Sequence, residues 1–109
     1  MDPAYLHIPD LTALAESVPA DSILSRTFYD GEDVRGVLFA FAPGQELSEH
    51  TAARPAILHF ISGEARLKLG DDVQRASAGT WVHMPAQLPH SIYAESQVVM
   101  LLLLVGGAA

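Results

Sequence analysis

The 109-residue chain contains no cysteine. This absence excludes disulfides, thiolate catalysis and cysteine-based zinc sites. Basic residues are also scarce, since six Lys and Arg stand against thirteen Asp and Glu and give a formal net charge of −7. A surface of that sign repels nucleic acid and anionic membranes, so we expect neither as a partner. The basic residues are scattered singly and predict no basic patch: Arg26, Arg35, Arg54, Arg66, Lys68 and Arg75.

A long hydrophobic run is missing as well. The apolar run Val98–Val105, "VVMLLLLV", is far shorter than the roughly 20 residues that span a bilayer. It predicts instead a strand that is buried on both faces. The first residues, Met1 to Tyr5, lack the basic and apolar regions of a signal peptide. We therefore expect a cytoplasmic protein.

The chain does contain a regular series of short β segments. Half of its residues are hydrophobic and 17% are charged, which is typical of a folded globular domain. One short helix is predicted after Asp10 as N-cap, and Pro19 ends it. About nine segments separated by Gly, Pro and Asp turns predict an antiparallel sandwich or barrel. The segments are Ile23–Asp30, Val34–Ala42, Glu46–Thr51, Ala56–Ser62, Glu64–Leu69, Val73–Ser77, Thr80–Met84, His90–Ala94 and Gln97–Val105.

Two stretches, one from Gly44 to Gly63 and one from Gly79 to Ala94, resemble the motifs of the cupin family of small β-barrels. The first family motif is G-x5-H-x-H-x3,4-E-x6-G, and Gly44, His50 and Gly63 match it in spacing. The resemblance covers roughly Val34 to Val105. It implies an all-β antiparallel double-stranded β-helix, the RmlC-like jelly roll, with one cupin domain over residues 1–109. The barrel core would span about 34–105, and residues 1–33 would pack on or extend the outer sheet.

The second family motif is G-x5-P-x-G-x2-H-x3-N. Gly79, Pro85 and His90 match at the required distances. Gln87 replaces the inner glycine of the motif, and Ala94 replaces its asparagine. Both motifs in order, on an all-β background, favour the cupin fold.

The metal-ligand set that the resemblance implies is incomplete. Metal-binding cupins use two histidines and a glutamate from the first motif and a histidine from the second. Here Ala52 and Ala56 occupy two of those positions, so only His50 and His90 remain. Their rings should lie within about 4 Å of each other if one ion with roughly 2 Å bonds is shared. A divalent Zn, Fe, Mn or Ni ion would then depend on water, or on the amide oxygen of Gln87 as a third ligand.

Arg54 is a further candidate ligand-binding residue. It follows His50 at the rim where substrates enter such barrels, and its guanidinium suits a carboxylate or phosphate. The alternative is a surface arginine that pairs with an acidic neighbour.

Other aromatic and histidine residues are expected to be structural. Alternation places Phe39, Phe41, Phe60 and Tyr93 in the barrel interior. His59 should be partly buried between the barrel and an outer strand. His83 and Trp81 should share the opposite, outward face.

Three functions stay open at this point. The first is a stand-alone barrel that binds a small polar or carboxylated molecule, with His50, His90, Arg54 and Gln87 as ligand-binding residues. The second is a metal-dependent dioxygenase, isomerase or decarboxylase that holds its metal weakly through the two histidines. The third is a structural or sensor role. A homodimer is also expected, through outer sheet faces or exchanged N-terminal strands, because one small barrel cannot bury this much apolar surface.

Overall fold

The structure, a computed structural model, describes residues 4–106. It confirms the predicted all-β jelly roll, in which nine strands form two antiparallel sheets. The strands are β1 (Ile23–Asp30), β2 (Val34–Phe41), β3 (Glu46–His50), β4 (Ala56–Ser62), β5 (Ala65–Leu69), β6 (Asp72–Ala76), β7 (Trp81–Met84), β8 (His90–Ala94) and β9 (Val98–Val105). One sheet has the order β1-β2-β9-β4-β7 and the other β3-β8-β5-β6. Residues 1–3 and 107–109 of the predicted domain lie outside the described part.

The predicted helix is a single short 3-10 helix, Leu11–Ala15. Asp10 caps it as expected, because its carboxylate accepts a hydrogen bond from the Thr12 amide at 3.1 Å. The helix packs on the outer face of the five-stranded sheet, where Ala15 joins a cluster with Leu38, Ala40 and Val99. Residues 4–106 contain no helix that is both long and apolar enough to cross a membrane.

The barrel interior has two unlike ends. At the filled end, Phe41, Phe60 and Val98 have no exposed surface. At the open end, formed around His90 and Ala56, four leucines pack against the same core but remain partly exposed. These leucines are Leu69, Leu88, Leu102 and Leu104.

The prediction that Val98–Val105 is buried on both faces is wrong for most of the strand. Val98, Val99 and Met100 are buried, whereas the five residues that follow are only partly buried. Alternate residues of this second half face the open end of the barrel or the outer surface of the sheet. Both places are less completely covered than the filled end.

Tyr93 and His59 also differ from expectation. Strand β8 buries His90, Ile92 and Ala94, so Tyr93 between them faces the outer side of the four-stranded sheet. His59 is exposed because it lies opposite Trp81 on the outer face. Trp81 is outward as predicted, with 59% of its surface exposed.

The basic residues are less scattered than the sequence suggests. Antiparallel pairing of β5 with β6 places Arg66 directly opposite Arg75. Lys68 is two residues from Arg66 on the same strand and therefore shares its outer face. Pairing between strands thus brings together three basic residues that are separated in the sequence, and Glu49 and Glu95 lie beside two of them.

Candidate functional site: the histidine pair

The structure brings His50 and His90 together at the open end of the barrel. His50 ends β3, His90 begins β8, and the two residues lie directly opposite each other in the ladder. Their ring centroids are 4.2 Å apart and the ring planes are inclined by 57°. The rings therefore lie close together, as the resemblance implies, and their sharing of one ion stays a prediction.

A β-bulge turns His50 towards His90. Leu47 pairs with Ile92, and the next pair along the ladder is His50 with His90. The chain thus advances by three residues in β3 but by only two in β8. A regular strand would place Glu49, not His50, on the face that Leu47 uses. The inserted residue reverses this alternation locally. Glu49 instead lies near Lys68, at 3.9 Å between carboxylate and ammonium.

Each imidazole is fixed by a backbone carbonyl. His50 Nδ1 donates to the Ser48 carbonyl at 2.7 Å, and His90 Nδ1 donates to the Leu88 carbonyl at 2.9 Å. A carbonyl can only accept a hydrogen bond, so both Nδ1 atoms carry a proton. In the neutral rings both Nε2 atoms therefore keep a lone pair that can accept a hydrogen bond or bind a metal.

Burial separates the two histidines. His90 is 5% exposed, whereas His50 is exposed at the rim. Burial lowers the pKa of His90 below its ordinary value of 6.5, with a smaller contribution from nearby His50, and the bond to the Leu88 carbonyl only partly opposes this. His90 is thus neutral around pH 7, which is the state that offers an Nε2 lone pair.

The turn before His90 holds the site together. Gln87 has a φ of 69°, in the left-handed region that favours glycine. The resemblance places a glycine at this position. The backbone N–H of Gln87 donates to the Ala52 carbonyl at 2.8 Å, so the turn is tied to the segment that follows His50. The Gln87 side chain is exposed, and its role as a ligand stays a prediction.

The residues present do not complete the metal-ligand set of the resemblance. Ala56 is almost fully buried and lies opposite Met84 and Leu104, so an apolar wall stands at the position of the expected glutamate. Within residues 4–106 there is no group of three or more His, Cys, Asp or Glu side chains that could hold a metal ion. The pair therefore supplies two nitrogen ligands and no more.

Arg54 has a partner within the chain. One of its guanidinium nitrogens donates to the Gly106 carbonyl, which ties the bend before β4 to the end of β9. Its Nε is buried and has no hydrogen-bond partner in the described part of the chain. This contact is structural, and the predicted contact of Arg54 with a ligand stays a prediction.

Two described cavities lie away from the histidine pair. The larger, about 470 Å³, lies between the N-terminal segment and the outer face of the five-stranded sheet, where Leu6, Phe28 and Leu103 are among its walls. The other, about 360 Å³, lies on the outer face of the four-stranded sheet beside Arg66 and Tyr93. Neither is lined by His50 or His90, so a ligand at the pair would enter from the partly exposed open end.

Sequence reasoning missed the bulge and the two carbonyl partners. Every residue has a backbone carbonyl, so no residue type at Ser48 or Leu88 signals such a bond. The bulge cannot be found from the spacing of Gly44 and His50 alone, because it also requires knowing that Leu47 pairs with Ile92.

Fold and histidine pair together define a small jelly-roll barrel with a reduced polar site at one end. Residues 37–106 match the cupin domain family, and the chain belongs to that family. No curated protein matches the chain.

Several solved structures are similar over nearly the whole chain. A conserved protein of unknown function from Streptococcus pyogenes is 30% identical, with a TM-score of 0.81, over 100% of this chain and 93% of that one. A cupin superfamily protein from Desulfitobacterium hafniense is 23% identical, with a TM-score of 0.82, over 94% of this chain and 93% of that one. An RmlC-like cupin from Desulfovibrio desulfuricans is 24% identical, with a TM-score of 0.77, over 93% and 96%. The last two likenesses concern the fold alone.

Proposed function

We propose that the protein binds a small polar or carboxylated organic molecule at the open end of the barrel, with His50 and His90 as the polar contacts. The observation that carries this proposal is the pair of Nε2 lone pairs, fixed by the two Nδ1 bonds to backbone carbonyls. Two acceptors on rings 4.2 Å apart suit a ligand that presents a hydroxyl or amide donor between them. A carboxylate offers no donor of its own, so a carboxylated ligand would need one added proton to bridge the two acceptors.

The walls around the pair suit the apolar part of such a molecule. Leu69 lies opposite His90 in the ladder, and Leu88 and Leu104 are partly exposed beside the core. Small pockets of this kind combine an apolar lining with a few fixed polar groups. Ala52, which is partly exposed, leaves room where the resemblance has a larger, ligating side chain.

A screen of small alcohols, amides and carboxylic acids by NMR tests the proposal. Ligands should shift amide signals at residues 50–52 and 87–90 of the wild type. Both His50→Ala and His90→Ala should weaken the same ligands, whereas His83→Ala, an exposed histidine on the other sheet, should not. Ligands that bind elsewhere, or that bind equally well to both alanine variants, would contradict the proposal.

A metal-dependent enzyme is the second candidate, and one observation favours it. Histidines that bind metals usually donate their other ring nitrogen to a carbonyl or carboxylate, which is the arrangement of both His50 and His90. A third protein ligand is what this candidate still needs. Stoichiometric transition metal in the purified protein, lost in both alanine variants, would replace the first proposal by this one.

We also propose that the protein is a homodimer through the outer face of the five-stranded sheet. Trp81 is exposed there, next to the partly buried Ile57 and Leu103 of the same sheet. Tryptophan is enriched at protein interfaces. Light scattering should give twice the chain mass at micromolar concentration, and Trp81→Ser should shift it towards one chain mass. A monomeric wild type would refute the dimer.

A further inference from the structure

The outer face of the four-stranded sheet carries a groove of about 360 Å³. Its walls include side chains from β3, β8, β5 and β6: Glu46, Ser91, Tyr93, Arg66, Lys68 and Val73. Val73 is 62% exposed and lies opposite Lys68 in the ladder. This face is on the opposite side of the sheet from the histidine pair, because Ser91 and Tyr93 alternate with the buried His90 and Ile92.

Three of the basic residues lie on the sheet face that carries this groove. The whole chain has six basic residues and a net charge of −7, yet Arg66, Lys68 and Arg75 share this one sheet face. Arg66 stands directly opposite Arg75, and like charges in that position destabilise a sheet. Glu49 lies near Lys68 and Glu95 pairs with Arg75, so an anion site on this face depends on the cation that has no carboxylate partner.

Arg75 is neutralised by an acidic neighbour, but Arg66 is not. Arg75 pairs with Glu95 at 3.1 Å. Within residues 4–106 no carboxylate pairs with Arg66. Its guanidinium carbon instead lies 5.1 Å from the centre of the Tyr93 ring, a cation–π arrangement that holds the side chain over the groove. Most of its N–H donors are therefore free to bind an oxyanion.

The neighbours of Arg66 add further donors. Lys68 lies opposite Ser91, so an ammonium and a hydroxyl stand side by side. The ion pair of Lys68 with Glu49 is long, at 3.9 Å, and both side chains are at least half exposed. Such a pair contributes little, so Lys68 can turn to an anion in the groove at small cost.

We propose that this groove binds a small anion, a carboxylate or a phosphate, through Arg66 and Lys68, with the hydroxyls of Ser91 and Tyr93 as additional donors. Glu46 at the edge of the groove repels the anion and limits its affinity. The proposal does not depend on the function of the histidine pair. Acetate and phosphate, tested separately, distinguish a carboxylate ligand from a phosphate ligand.

NMR titration of isotope-labelled protein with sodium phosphate, and separately with sodium acetate, tests the proposal against sodium chloride at matched ionic strength. Saturable shifts are expected at the amides of residues 66–68 and 91–93. Arg66→Gln should weaken binding about tenfold, since a charged hydrogen bond is lost. Arg66→Lys should weaken it less, and Glu46→Gln should tighten it about twofold because a repulsive charge is removed.

Arg26→Gln is the matched control. Arg26 is exposed on β1 of the other sheet, and its replacement removes the same charge without changing the groove, so phosphate affinity should stay within about twofold. Saturation with phosphate alone would assign a phosphate ligand, and saturation with acetate would extend the site to carboxylates. The proposal is overturned if neither anion gives saturable shifts, if chloride produces the same shifts, or if Arg66→Gln binds like wild type.

Discussion

The two ends of the barrel interior are built from the same alternating strands but are filled differently. At the filled end, Phe60 and Val98 are completely buried. At the open end, Leu102 and Leu104 of strand β9 remain partly exposed, as does Leu69, which lies opposite His90. Strand alternation therefore decides which side chains face inward. Side-chain volume and turns decide whether the end of the barrel is closed.

Two turns reinforce the contrast. Gly63 at the filled end has a φ of 93°, and a Cβ atom there would clash with the Gln97 carbonyl oxygen, so the chain closes tightly over Val98. Gln87 at the open end has a φ of 69° with a full side chain. Backbone strain of this kind is commonly found at functional sites.

The largest expected effect is at the filled end. Phe60→Ala should lower the free energy of unfolding by about 3–5 kcal/mol, because it removes a fully buried ring and leaves a cavity. Leu104→Ala at the open end should cost only about 1 kcal/mol, since solvent already reaches that side chain. Urea denaturation of the two variants measures both values, and equal losses would remove the distinction between the ends.

Gly63→Ala should be the next most harmful change. The new methyl group would meet backbone atoms, and the φ value is unfavourable for alanine, so we expect a loss of about 1–3 kcal/mol. Gly79→Ala is a useful control, because its φ is similarly positive but no atom lies within 4 Å of the added Cβ. If both variants lose the same stability, the loss comes from φ alone and not from the tight closure at Val98.

The open end should make stability depend on pH through His90. Burial lowers the pKa of His90 in the folded protein, so between the unfolded value near 6.5 and the lower folded value the unfolded chain binds more protons. Stability should therefore fall as pH drops below about 6.5, by at most about 1.4 kcal/mol per pH unit, and level off below the folded pKa. Urea denaturation at several pH values should show a smaller dependence for His90→Gln than for wild type. An unchanged dependence would mean that other groups cause it.

The smallest expected effect is at Gln87. Gln87→Gly should stabilise the protein by about 0.5 kcal/mol, because relief of a left-handed residue, about 1–2 kcal/mol, exceeds the entropy cost of glycine. Thermal unfolding would detect it as a small rise in Tm. A clear loss of stability would instead show that the Gln87 side chain makes contacts that outweigh the strain.

Much of this architecture is predictable from the sequence. The nine strands were located to within a residue or two because glycine, proline and aspartate turns separate segments such as Ile23–Asp30 and Ala56–Ser62. The approach of His50 to His90 followed from the resemblance to the cupin motifs. Local pattern thus determines the strands, and motif spacing determines which of them meet.

What could not be predicted depends on pairing between strands. Alternation along its own strand allows Tyr93 to face either side of the sheet. Only the burial of His90 and Ile92 shows that Tyr93 faces outward. The groove around Arg66 arises from the register of β5 with β6 and β8. No local pattern contains that register.

We propose that the two imidazoles at the open end bind an organic ligand rather than a resident metal. Elemental analysis of protein purified without a chelator or a histidine tag, followed by zinc titration of wild type, His50→Ala and His90→Ala, tests it most directly. We expect elemental analysis to find far less than one metal ion per chain. We expect zinc to bind the wild type weakly and neither alanine variant. One tightly bound transition-metal ion per wild-type chain, absent from both variants, would contradict it.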